Sequence, residues 1–167
     1  QLSIYAVATT VGVALILGGV AIWLIETFNK APAPPKEGTW LDSMPRRQAV
    51  KVGLYQMFAL IPGVSRSGAT IMGGLLSGMD RVTATAFSFY LSIPIIVLAG
   101  SYQLITGYDD FDTVAGGGPA IVAGTVTAFI TALIAINWLL KFVSKHSFKG
   151  FAYYRVIVGI IILVAIA

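Results

Sequence analysis

The stretch Ala59–Ile71 reads ALIPGVSRSGATI. It places an arginine between two serines, just after a Pro-Gly break, in the middle of a very apolar chain. Leu60 and Ile61 precede Pro62, so a helix arriving from the N-terminal side is expected to stop there. Gly63 permits a sharp turn. Ser65 or Ser67 can then cap a second helix beginning near Gly68. A helix N-terminus presents free N–H groups and a partial positive charge. Arg66 adds a full charge and a planar fork of donors matched to phosphate oxygens, and Ser65, Ser67 and Thr70 add hydroxyls. Together these groups describe an anion site, most naturally one for phosphate. It is no P-loop, because the Lys-Ser/Thr ending is absent.

The surroundings decide what such a site is for. Of 167 residues, 57% are hydrophobic and 11% charged, against about 25% charged in an ordinary soluble domain. The composition therefore points to a membrane protein. There is no cysteine, hence no disulfide framework and no Cys-based metal site. The net charge of +4 suits anionic headgroups, and no basic stripe with interleaved aromatics suggests nucleic acid. The chain begins at Gln1 and enters an apolar segment almost at once, and so reads as a fragment or a processed chain.

A spanning helix needs roughly 20 mostly apolar residues. Four segments are read as spans: Ile4–Ile25, Val82–Ile105 with a kink expected at Pro94, Ala120–Leu140, and the shorter Phe151–Ala167. Arg155, near the start of the last, is expected to snorkel to the interface. Residues 49–61 and 67–79 are apolar but too short to span. In series across Pro62-Gly63, they predict a re-entrant hairpin over residues 49–79 that enters the membrane and returns to the same side. Non-helical backbone at that depth is tolerated only inside protein or beside water, and an ionisable residue there is a functional hypothesis by default.

Residues 26–45 form a Pro-rich loop. It leads to Arg46, Arg47 and Lys51, and the loop Lys141–Lys149 is also basic. The loop 106–119 carries Asp109, Asp110 and Asp112. Under the positive-inside rule the basic loops are cytoplasmic, and the hairpin enters from that side. The fold class is thus an all-α integral membrane protein, a single membrane domain over residues 1–167 with about four transmembrane helices plus one re-entrant hairpin. No internal repeat is visible.

No Asp or Glu lies inside an apolar segment; Glu26, Asp42 and Asp80 sit near segment ends. Gln56 sits in the first short helix and can hydrogen-bond inward but cannot act as a base. The single histidine, His146, lies in a basic loop and reads as interfacial. Hydrolysis of a phosphate ester or anhydride usually wants a base, a nucleophile and often a divalent cation. The residues present supply half of such a site at best. On these grounds alone an anion or lipid-head transporter ranks level with an enzyme, since broken helices and midplane anion sites are transporter features.

Beyond the opening motif, the stretch GLYQMFALIPGVSRSGATIMGGLLSGMDR (Gly53–Arg81) strongly resembles the second signature of the undecaprenyl-diphosphate phosphatases, the bacitracin-resistance family. ATAFSFYLSIPII (Ala84–Ile96) resembles the helix that follows it, and HSFKGFAYYRVIVG (His146–Gly159) the C-terminal signature. The resemblance runs from about Arg47 onward and is assigned to the C-terminal part of the family only. It implies a bacterial inner-membrane, multi-pass enzyme that hydrolyses undecaprenyl diphosphate to undecaprenyl phosphate and inorganic phosphate. That reaction recycles the lipid carrier of peptidoglycan synthesis and confers bacitracin resistance. The alternative is a transporter or flippase for an anionic lipid head group.

The resemblance further implies two inverted repeats, of which this chain would carry one, and an active site where two hairpins meet. Arg66 matches the family's phosphate-binding arginine and, with Ser65, is the catalytic candidate. Gly63, Ser67, Thr70 and Gln56 are the substrate-binding candidates. The family's first signature, with its glutamate pair and histidine, is not found in these residues. A magnesium or calcium ion is implied, with ligands outside this chain. The partners implied are a polyprenyl diphosphate lipid and the bilayer, with room for a homodimer. The chain by itself is expected to be inactive.

Overall fold

A computed structural model describes residues 2–34, 39, 41–42, 44–107 and 117–166. The elements in order are α1 (Leu2–Phe28), α2 (Arg46–Gln56), a 3₁₀ turn (Met57–Leu60), α3 (Arg66–Leu76), α4 (Arg81–Thr106), α5 (Gly117–Val143) and α6 (Lys149–Ala165). Every regular element among the described residues is helical, and the fold is an all-α membrane fold. Ile4–Phe28, Arg81–Thr106 and Gly117–Val143 are each long and apolar enough to cross a bilayer. The fourth segment read as a span is the 17-residue helix α6. At about 1.5 Å per residue it falls short of a hydrocarbon core of about 30 Å. Asp109, Asp110 and Asp112, on which the orientation argument leaned, lie outside the described residues, as does part of the Pro-rich loop.

The chain divides into two compact units, residues 1–88 with 143–167, and residues 89–142. In the second, α4 continues unbroken through Pro94 and α5 carries a stacked Trp138–Phe142 pair with centroids 5.4 Å apart. Many apolar side chains of α5, among them Val122, Phe129, Ile134 and Trp138, are exposed, whereas Leu140 and Val143 at its end are buried.

The first unit holds the motif. Its frame is the pair α1 and α6, which run antiparallel. A Cβ added at Gly159 would lie 2.7 Å from the Gly12 carbonyl oxygen, and one at Gly19 would lie 2.8 Å from that of Ala152. Small residues spaced seven apart on each helix let the backbones approach closely, and in an apolar medium that close packing is the main source of helix–helix attraction.

Helices α2 and α3 form an antiparallel hairpin. Tyr55 packs its side chain against Gly73, where a Cβ would collide at 2.5 Å. The base of the hairpin is fastened by two amides reaching for terminal carbonyls: Gln48 Nε2 donates to Ser77 O (3.1 Å) and Asn29 Nδ2 to Leu75 O (2.8 Å). Gly78, with φ +88°, ends α3. The Met79 amide then bonds to Gly74 O and the Gly78 amide to Leu75 O, the pattern of a Schellman cap. Asp80 starts the next helix at once, its Oδ1 accepting from the amides of Val82 and Thr83, both at 2.9 Å.

Glu26 at the end of α1 closes the same region. Its carboxylate, 1% exposed, is held by Arg81 at 2.7 Å, with a second contact from Arg81 Nε at 3.0 Å.

Candidate active site

The tip of the hairpin is a turn over Ile61-Pro62-Gly63-Val64, closed by a bond from the Val64 amide to Ile61 O at 3.0 Å. Ile61 is extended (φ −79°, ψ 124°), as a residue before proline prefers. Gly63 takes φ +89°. Proline followed by glycine at positive φ is the pairing a type II turn asks for. Space also demands glycine: a Cβ here would lie 2.7 Å from Val11 Cα and 2.9 Å from Val11 O. The turn is therefore seated directly on the backbone of α1.

Ser65 caps α3. Its backbone is extended (φ −69°, ψ 124°) and its Oγ accepts from the Gly68 amide at 3.1 Å. Its hydroxyl also lies 3.2 Å from that of Ser67. Arg66 is the first residue of the helix. Its side chain is half-buried and makes no ion pair among the described residues. The N–H groups of Arg66 and Ser67 head the helix, where no intrahelical acceptor exists. Partial positive charge, two hydroxyls and one guanidinium are thus gathered within a single turn.

Arg155 completes the tip. It does not snorkel outward. It crosses from α6 to donate through Nη2 to Gly63 O (3.1 Å) and toward Ala14 O (3.5 Å). Gly18 makes room for it, since a Cβ there would lie 2.7 Å from Nη2. Its Nε is buried without a hydrogen-bond partner among the described residues. The physical reason for the correction is local. The turn at Pro62-Gly63 leaves a carbonyl with no helical partner, and an arginine in an apolar setting is more stable satisfying that carbonyl than reaching past it. Beside the tip runs a groove of about 310 Å³ between α1 and the hairpin. It is lined by apolar side chains such as Leu17, Tyr55 and Phe58, with Ser65 and Arg155 as its polar members.

The fold thus brings together Gly63, Ser65, Arg66 and Ser67, and adds Arg155. Thr70 belongs to the same helix but is 2% exposed and faces α4, its Oγ1 lying 2.6 Å from Ser88 Oγ. Gln56 ends α2, half-buried, and is not among the groove-lining residues. His146 is exposed between α5 and α6. Arg155 and Ser88 are the residues that sequence reasoning left out of the site. For Arg155 the signal was present, an arginine inside an apolar segment; for Ser88 a serine in an apolar helix gave none.

The described carboxylates are not gathered into a site for a divalent cation. Among the described residues no group of three or more His, Cys, Asp or Glu is placed to hold a metal. Glu26 is committed to Arg81 and Asp80 to the amides of α4. No catalytic step is therefore drawn through a cation.

Long apolar helices, and a broken hairpin whose tip collects two arginines, define a polytopic membrane protein. The family model described as bacitracin resistance protein BacA matches residues 2–161, and the chain belongs to that family. The match begins at α1. It corrects the reading that confined the resemblance to the stretch from about Arg47 onward and to the C-terminal part of the family: a uniformly apolar helix has no spaced polar residues by which to be recognised. The chain is similar to an undecaprenyl-diphosphatase of Methylobacillus flagellatus, 47% identical over 156 residues, covering 92% of this chain and 57% of the relative. Undecaprenyl-diphosphatase 1 of Burkholderia thailandensis is 42% identical over 153 residues, covering 92% and 55%. An undecaprenyl-diphosphatase of Neisseria gonorrhoeae is 43% identical over 155 residues, covering 93% and 55%. The chain spans about half the length of the curated relatives it matches.

Proposed function

We propose that this chain carries the phosphate-binding part of an undecaprenyl-diphosphate phosphatase of the bacterial inner membrane. The reaction releases inorganic phosphate from undecaprenyl diphosphate and returns the lipid monophosphate to cell-wall synthesis. The observation that carries the reading is the half-buried Arg66 guanidinium, without an ion pair among the described residues, at the capped N-terminus of α3 in a chain of this family.

In this reading the hairpin of α2 and α3 is re-entrant and α6 completes the set of spans by tilting little or by thinning the bilayer. The diphosphate head enters at the tip while its tail stays in lipid. Arg66 and the α3 amides hold the phosphoryl oxygens and stabilise charge that grows in the transition state. Such fixed donors are often the largest catalytic term, and phosphoryl transfer depends on positioning and charge more than on covalent help. Ser65 and Ser67 orient the head by hydrogen bonding, and Gly63 allows the backbone to come close. A general base and a divalent cation would require residues other than those described.

Two assays on the full-length protein separate the enzyme from its transport alternative. One measures phosphate release from undecaprenyl diphosphate in detergent micelles. The other measures passage of the same lipid between the leaflets of proteoliposomes. Release that depends on Arg66 supports the hydrolase. Passage without release puts the transporter first.

A further inference from the structure

We infer that Ser88 is a positioning residue for Arg66, acting through Thr70. The inference rests on the phosphatase reading and extends it to a residue on a different helix. The Thr70 hydroxyl has one proton. Two backbone oxygens that can only accept lie within reach of its Oγ1, Arg66 O at 3.0 Å and Ser67 O at 3.1 Å. The Ser88 hydroxyl lies 2.6 Å away on α4. Either hydroxyl can donate across this contact. The arrangement that uses both protons has Thr70 giving its own to the carbonyls of the first turn of α3 and Ser88 giving its own to Thr70.

Both side chains are buried, Thr70 at 2% and Ser88 at 5% exposure. In so dry a place a hydroxyl without a partner is costly, and the pair holds one relative setting of α3 and α4. The carbonyl at the far end belongs to Arg66 itself. The backbone that aims the phosphate-binding guanidinium is thereby tied to the start of α4, which Asp80 and the Glu26–Arg81 pair already hold. Thr70, with its oxygen committed on both sides, supports the anion site rather than touching the anion.

The test uses the full-length protein in detergent, with variants Ser88→Ala, Thr70→Val and Thr70→Ser. Each is also made in an Arg66→Lys background. All rates are normalised to the folded fraction from size-exclusion chromatography. Ser88→Ala and Thr70→Val are expected to lower kcat about tenfold while KM moves less than about twofold, the mark of a misaimed group. Thr70→Ser, which keeps the hydroxyl, retains most of the activity. In the Arg66→Lys background Ser88→Ala costs less than about twofold, because the residue it serves is already lost. Hydrogen exchange gives a readout free of turnover: Ser88→Ala speeds exchange of the amides at residues 68–70. Unchanged kcat in Ser88→Ala, or the same tenfold loss with Arg66→Lys, overturns the inference. So does unchanged exchange. Faster exchange in a protein whose wild type releases no phosphate leaves the pin standing and removes the phosphatase reading instead.

Discussion

Arg155 Nη2 donates to the carbonyl oxygen of Gly63 at 3.1 Å, across 92 positions of sequence. This bond ties the last helix to the tip of the hairpin. It explains why an apolar helix carries an arginine, and why α1 carries glycine at position 18 where the guanidinium passes. The hairpin tip is held by α1 beneath Gly63 and by α6 through Arg155, and the first turns of α3 behind it touch α4 through Thr70 and Ser88.

Arg155→Met should loosen the tip. A hydrogen bond from a charged donor contributes about 1.5–3 kcal/mol, and the freed Gly63 carbonyl finds no ready substitute. The midpoint of thermal unfolding in detergent is expected to fall by several degrees. An unchanged midpoint would show that the bond is incidental.

Gly63→Val should be poorly tolerated for two separate reasons. A residue with a Cβ at φ +89° costs about 1–2 kcal/mol from backbone conformation alone, and the new atoms would meet Val11 at 2.7 Å. Gly53→Ala, where no described residue lies within 4 Å of the added carbon, serves as the control. Comparable unfolding midpoints for the two would contradict the seating of the turn on α1.

The Glu26–Arg81 pair predicts an asymmetry. The Glu26 side chain is 1% exposed and that of Arg81 34%. Arg81→Ala strands a buried carboxylate, at a cost of about 3 kcal/mol for an uncompensated charge. Glu26→Ala leaves a guanidinium that can still reach water, and costs less. Chemical denaturation of the two variants checks the order, and a larger loss in Glu26→Ala would reverse the argument.

By itself the 167-residue chain should release little or no phosphate. The described residues near Arg66 include no carboxylate or histidine free to act as a base. A rate near that of a full-length relative, measured on the purified chain, would overturn this expectation and place the missing chemistry among the residues present.

Much of the site was legible because its logic is local. Pro62 and Gly63 announce the turn, and Ser65 and Ser67 are the two candidates for the cap, of which the structure uses Ser65. Their effects act over a few residues, and the structure has α3 begin at Arg66, two residues ahead of the position anticipated. The long spans were legible for a similar reason, since length and hydropathy suffice. What stayed hidden depends on contacts between distant segments. The role of Arg155 is decided by a carbonyl 92 residues away, and that of Ser88 by a hydroxyl 18 residues away on another helix. Neither leaves a spacing that can be read along the chain. For Glu26 and Asp80 the sequence shows a place near segment ends, and their partners, Arg81 and the amides of α4, come only with the fold.

The most direct test of the central claim is phosphate release from undecaprenyl diphosphate by the full-length protein, compared across wild type, Arg66→Ala and Arg66→Lys. Loss of one anion-stabilising donor predicts a fall in turnover of about a hundredfold or more for Arg66→Ala. Arg66→Lys should recover only part of it, because a point charge does not replace a two-pronged donor. Turnover unchanged in Arg66→Ala would contradict the account and remove the hairpin tip from the chemistry.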